Sequence, residues 1–299
     1  MCELLGMNAN QPVSTGFSWR GFRHRGGANG PHRDGFGVGF YRRDGYHDFH
    51  DLRPAVESPL ATLLGDDEIP ALNMLGHLRQ ANEGSVDIRN TYPFTREAGG
   101  QRWSYIMQGQ LHGFEALKLS GRFTPMGTTD GEHAFCWLMD QLADADSEDF
   151  VAVCEQLRQC GDRLAQMGVF NMMLSDGRVL YTYCSKKMCW LTRRAPFATV
   201  TSLDSGEHVD LASRCDSTTV YTLLATTPLT SESAGRTCIP ARPWPFAMVS
   251  GVMSAHRKLL WPDASKSANP LNIKRRRHLR VSAAFLSIRA ASVSSVLLR

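Results

Sequence analysis

Residues 1–10 read MCELLGMNAN, a cysteine set directly behind the initiator methionine and leading into an apolar, strand-like run, CELLGM. A cysteine side chain is small enough that the methionine ahead of it is normally clipped. Cys2 would then carry a free α-amino group beside its thiol. An α-amine has an unperturbed pKa of ~7.7–8.0 and a thiol of ~8.5, so near neutrality one takes the proton of the other within a single residue. Nucleophiles activated by an N-terminal amine are one solution to acyl transfer. A cysteine taken at random is an ordinary buried thiol, so the rest of the chain has to choose between the two readings.

Outward from Cys2 the pattern is mixed strand and helix. Residues 35–49, GFGVGFYRRDGYHDF, read as a strand, an Asp-Gly turn and a second strand, and LNMLGHLR (72–79) and RWSYIMQGQL (102–111) as further strands. DGEHAFCWLMDQLAD (130–144) spaces Ala134, Phe135, Leu138, Met139 and Leu142 at helical intervals. EDFVAVCEQLRQCGDRLAQMG (148–168) is a long amphipathic helix that Gly168 is expected to end. Strands then return in VFNMMLSDGRVLYTYC (169–184, turning at Ser175-Asp176-Gly177), MCWLTRR (188–194) and TVYTLLATTPL (219–229). Hairpins around a central helical pair predict an α+β fold of antiparallel sheets layered with helices.

Composition narrows the class. The 299 residues are 42% hydrophobic and 21% charged, which is globular. No charged leader precedes an apolar run ahead of Cys2 and no apolar stretch is long enough for a membrane span, so the expectation is a cytoplasmic protein with no membrane partner. The eight cysteines lack CxxC spacing and are expected as free thiols, with Cys136, Cys154 and Cys160, like Met172 and Met173, in the core. The histidines fall into no HExxH or finger pattern, so neither a metal nor another cofactor is expected.

Four further stretches join Cys2: HRGGANGPHRDGFG (24–37), HLRQANEGSVDIRNTYPF (77–94), YIMQGQLHGF (105–114) and GTTDGEHAFCWL (127–138). In this order and spacing the chain resembles the class II, N-terminal-nucleophile glutamine amidotransferases, within them a bacterial subgroup consisting of the glutaminase domain alone. The resemblance runs from Cys2 to about Ser231. It implies a four-layer αββα sandwich of the Ntn-hydrolase type. It also implies that Cys2 attacks the side-chain amide of glutamine and carries a γ-glutamyl thioester, with its own α-amine as base and then acid. Arg79 would clamp the α-carboxylate, Asp130 would accept from the α-ammonium and Asn82 would join them in the glutamine pocket. Gln108 and Gly109 would form the oxyanion hole, with Arg25 and Asp34 in support. Asp130 is equally the residue type of a helix N-cap and is read in both roles.

The chain departs from the family pattern in three places. Gln108 stands where Asn is usual, keeping a carboxamide donor on a stem one methylene longer. Glu83 replaces a common His, and Phe36 replaces a common Trp. Gly35, Gly37 and Gly39 do not open a helix and so do not read as a phosphate loop; they are expected to permit close backbone approach beside the nucleophile. The expected activity is hydrolysis of glutamine with ammonia passed to an acceptor on another protein. The competing readings are an amidase for another γ-glutamyl compound and a catalytically weak binding module.

The charge is unevenly distributed. From Arg236 to Arg299 there are 12 Lys+Arg against a single Asp, whereas the preceding residues carry 21 against 28. Taken at face value, Lys274, Arg275, Arg276, Arg277 and Arg280 form a patch for nucleic acid or an anionic surface. Yet the neighbouring reading frame across Ala234 to Val249 permits Trp, then Pro-Gly four positions later, then a closing Gly, which is the family's ending. The expectation is therefore a glutamine amidotransferase domain over residues 2–231 and a basic, divergent tail over 232–299, frameshift-derived or disordered. The last strand of one sheet would then be missing.

Overall fold

The structure, a computed structural model, describes residues 1–82, 84–143, 149–233, 238–240 and 246–249. Strand β1 (Glu3–Ser14) sends Leu5, Met7 and Ala9 to one face and Leu4 and Gly6 to the other, the period-two alternation of a strand buried on both sides. After helix α1 (Gly16–Phe22) come the hairpin β2 (Phe36–Arg42) and β3 (Gly45–Asp51), helix α2 (Pro59–Asp66) and strand β4 (Pro70–Leu78). Strands β5 (Phe94–Ala98) and β6 (Gln101–Leu111) precede the helical pair α3 (Asp130–Leu142) and α4 (Phe150–Ala165). The chain closes through β7 (Gly168–Ser175), β8 (Val179–Cys184), β9 (Lys187–Arg194), the small hairpin β10 (Thr199–Thr201) and β11 (His208–Asp210), β12 (Val220–Ala225), β13 (Cys238–Pro240) and β14 (Phe246–Val249).

Two antiparallel sheets result, ordered β13-β9-β12-β1-β4-β2-β3 and β14-β8-β7-β6-β5. Trp19 and Phe22 of α1 and Ala61 and Leu64 of α2 pack with Leu5, Met7, Val38 and Phe40 on the outer face of the first sheet. On its inner face Leu4 and Leu75 meet Met173 and Leu180 of the second sheet, and a Cβ built on Gly6 would lie 2.5 Å from Met173 Sδ. The outer face of the second sheet carries α3 and α4, with Tyr105 of β6 stacked on Phe135 of α3 at 4.8 Å. The layers are αββα, as the resemblance implied.

Local chemistry explains the helix boundaries. Thr129, in extended conformation, accepts from the Glu132 N–H at 3.2 Å and is the N-cap of α3. Asp130 is therefore the first helical residue and not the cap, a correction to its dual reading. Helix α4 ends at Ala165, and Gly168 instead begins β7 with φ +156°. Cys136, Cys154 and Cys160 are buried free thiols, and Met172 and Met173 are core. The glycines of β2 make room elsewhere than expected. A Cβ on Gly37 would lie 2.0 Å from the Tyr92 carbonyl oxygen, and one on Gly39 2.3 Å from the Tyr46 hydroxyl, neither against Cys2.

Beyond Ser231 the described residues include β13, paired with β9, and β14, paired with β8, so each sheet takes an edge strand from that region. The basic patch at Lys274–Arg280 and Glu83 lie outside the described residues. Among the described residues no helix is long and apolar enough to cross a membrane, and no cluster of His, Cys, Asp and Glu is arranged to hold a metal.

Candidate active site

Cys2 sits one residue ahead of β1, where Glu3 pairs with Leu78, so it faces the chain leaving the end of β4. Its Sγ lies 3.4 Å from both the N–H and the carbonyl oxygen of Gln80. The loop that carries Arg79 and Gln80 is clamped from behind. Asp34 N–H donates to the Arg79 carbonyl at 3.1 Å, Arg79 N–H donates to the Gly35 carbonyl at 2.9 Å, and Asp34 Oδ2 accepts from Ala81 N–H at 2.8 Å. Asp34 thus fixes the backbone of the loop beside Cys2, up to Ala81.

Cys2, Arg79, Gln80, Ala81, Asn82, Tyr92, Met107, Gly109, Gln110, Thr129 and Asp130 line one cleft of about 370 Å³, open mouth included. Arg79 and Asp130 are both buried, at 2% and 6% exposure, and bring opposite charges to one concavity. Asp130 Oδ2 accepts from Leu111 N–H at 2.7 Å and Oδ1 from Gly131 N–H at 2.8 Å.

The far wall of the cleft is β6 after its neighbour β5 has ended. Strand β5 pairs with β6 only up to Phe94 opposite Tyr105. In an antiparallel ladder alternate residues turn their N–H and C=O groups to opposite sides. Phe170, opposite Gly109, turns both of its groups to Ser185 on the β8 side. The Gly109 N–H therefore points away from β7, toward the side that β5 has vacated. Its odd-numbered neighbours on that side are held: the Met107 carbonyl accepts from His77 Nε2 at 3.1 Å, and Leu111 N–H donates to Asp130. Glycine is required at this position. Its φ is +150°, and a Cβ would fall 1.7 Å from the Val169 carbonyl oxygen.

Gln108 is not among the residues lining the cleft. Its Oε1 accepts from Asn171 Nδ2 at 2.7 Å, and Asn171 Oδ1 in turn accepts from Ser185 and Lys186 N–H at 3.0 and 3.2 Å. The acceptor end of the carboxamide is thereby tethered. Arg25 is absent from the cleft as well. Its guanidinium donates to Asp204 at 2.8 Å and Glu3 at 2.9 Å and to the Pro228 carbonyl at 2.7 Å, a buried ionic knot that locks β1 to the segment after β12.

Burial raises the Cys2 thiol above its ordinary pKa, while the Gln80 N–H and the positive charges of the chain terminus and Arg79 pull it down. Burial thus favours the thiol form of Cys2 over the thiolate. His77 and Asn171, which hold the strand and the carboxamide, escaped the sequence reading. His77 stands two residues ahead of Arg79 in the run read as a strand over residues 72–79, and that spacing was the available signal.

The family profile described as Glutamine amidotransferases class-II matches residues 1–292. The chain is 44% identical over 243 residues to the Escherichia coli (strain K12) protein named "Putative glutamine amidotransferase YafJ", covering 80% of this chain and 95% of the relative. A Haemophilus influenzae protein named "Putative glutamine amidotransferase" is 34% identical over 236 residues, covering 78% of this chain and 80% of the relative. Among solved structures, the "predicted glutamine amidotransferase" of Pseudomonas aeruginosa PA01 superposes with a TM-score of 0.64 at 35% identity, over 84% of this chain and 98% of that one. The glutamine phosphoribosylpyrophosphate amidotransferase of B. subtilis, at 12% identity and a TM-score of 0.51 over 84% of this chain and 50% of that one, shares the fold. With an Ntn-type sandwich, a cysteine at the head of its central strand and an arginine and an aspartate lining the same cleft, the chain, 44% identical to one such relative and matched by the family profile over residues 1–292, belongs to the class II glutamine amidotransferases.

Proposed function

We propose that Cys2, exposed as the first residue by loss of Met1, hydrolyses the side-chain amide of glutamine, and that the ammonia released is passed to an acceptor on another protein. The supporting observation is the convergence of Cys2, Arg79, Asn82, Gly109 and Asp130 on one cleft. A planar guanidinium suits an α-carboxylate and a carboxylate suits an α-ammonium, so a free amino acid is held at its head group with its side chain directed at the sulfur.

The chemistry follows from the groups present. The Cys2 α-amine takes the thiol proton as Sγ bonds to the amide carbon. The oxyanion that forms is met by the Gly109 N–H, with Gln108 Nε2 as a second donor whose other end Asn171 holds. Collapse breaks the C–N bond as the ammonium returns its proton to the amide nitrogen, which departs as ammonia. Water then cleaves the γ-glutamyl thioester, giving glutamate and restoring the thiol.

The test compares ammonia release from glutamine by Met1-free protein and by Cys2→Ala. Activity is expected only in the first, and equal release by both would overturn the assignment. A panel of γ-glutamyl conjugates run beside glutamine separates a glutaminase from an amidase of broader leaving group.

A further inference from the structure

The His32 imidazole is buried, at 7% exposure, and its two ring nitrogens both face carbonyl oxygens: Nδ1 lies 3.1 Å from that of Arg25 and Nε2 2.7 Å from that of Met1. A neutral imidazole has one N–H and one lone pair. In a chain that keeps Met1, a neutral ring therefore sets a lone pair against one of the two carbonyl lone pairs; only an imidazolium would donate to both. The Arg25 contact is internal to the fold and is untouched by loss of Met1, since the adjoining backbone is tied by the Gly26–Pro31 bridge and the Gly26 N–H bond to the Arg23 carbonyl. The mismatch falls on Met1.

We propose that His32 is built for the processed terminus: once Met1 is gone, its Nε2 accepts a hydrogen bond from the Cys2 α-amino group and aims that group at Sγ. This inference rests on Cys2 being the working N-terminal nucleophile. Met1 O and Cys2 N belong to one peptide unit and lie about 2.2–2.3 Å apart, so the amine sits within about 5 Å of Nε2. One bridging water closes the remaining gap while Sγ keeps its place beside Gln80. The cut exchanges an acceptor for a donor at the place where the ring has a lone pair to offer. Nδ1–H keeps its bond to the Arg25 carbonyl, which fixes the tautomer. His32 touches neither substrate nor sulfur in this arrangement. It is a positioning residue acting through the amine.

The experiment uses full-length chains whose loss of Met1 has been verified by intact mass. His32→Phe is expected to lower kcat about 10²-fold, the scale of an ångström's misplacement of a reacting group, with KM for glutamine within about threefold. His32→Gln places a carboxamide oxygen near the Nε2 position and is expected to recover about tenfold of that loss. A second measurement does not depend on turnover. 2-Cyanobenzothiazole condenses with an adjacent free amine and thiol, and its rate on Cys2 should differ between folded wild type and His32→Phe but be equal in the two denatured chains. Unchanged kcat together with an unchanged condensation rate in either processed variant would overturn the role of His32. If processed wild type failed to hydrolyse glutamine, the proposed function would fall while the condensation rates still decided this inference.

Discussion

His77 makes the pH dependence of stability calculable. The ring is fully buried, its Nε2–H donates to the Met107 carbonyl, and Nδ1 has no hydrogen-bond partner among the described residues. Protonation would strand a second N–H in the sheet interface. Burial accordingly drives the pKa down from 6.5 to about 3; the Met107 carbonyl opposes the shift, and the charge of Arg79 adds to it. Because the unfolded chain takes up a proton near 6.5 that the folded chain refuses, the stability present above that pH is lost as pH falls toward 3. The slope is about 1.4 kcal/mol per pH unit, and the whole window is worth roughly 4–5 kcal/mol. His77→Gln can still donate to Met107 and carries no titrating group. Urea unfolding of wild type and variant at pH 7.5, 6.5, 5.5 and 4.5 should show the variant's slope shallower by about 1.4 kcal/mol per unit below 6.5. Parallel curves would refute the reasoning.

Four other outcomes follow from the cleft and from the ionic knot beside it. Arg79→Lys keeps the charge and loses the bidentate fork, and should raise KM for glutamine about tenfold to a hundredfold in steady-state assays, with kcat changed less. Gly109→Ala places a Cβ 1.7 Å from the Val169 carbonyl oxygen, where real Cβ atoms stay beyond 3.0 Å, so β6 must move and kcat should fall by about 10²-fold or more. Gln108→Ala should cost about 10²-fold in kcat with KM nearly constant, and an unchanged kcat would leave the Gly109 N–H as sole donor. Arg25→Ala leaves Glu3 and Asp204, both half-buried, without their cation and should destabilise the fold by about 1–3 kcal/mol by chemical denaturation.

What could be taken from the amino-acid order alone was of two kinds. Local periodicity marked β1, the β2–β3 and β7–β8 hairpins and the helical pair, because a strand or helix writes its buried face into its own residues. The order and spacing of Cys2, Arg79, Asn82, Gly109 and Asp130 marked a set of residues for one cleft, where the structure places all five. The short α1 and α2 escaped that reading, since in the folded chain much of what defines them is the sheet they cover. Tertiary structure alone decided what depends on which strand lies beside which. Strand β5 stops before Gly109, and so the Gly109 N–H is turned to the cleft. His77 reaches Met107 across the two sheets, and Asn171 reaches Gln108 across a ladder rung, over 30 and 63 residues of sequence. Arg25 was marked as support for the site and proved to be an ionic knot, because its partners Glu3 and Asp204 lie 22 and 179 residues away. Such contacts are set by register and by the packing of layers, which a chain read residue by residue does not contain.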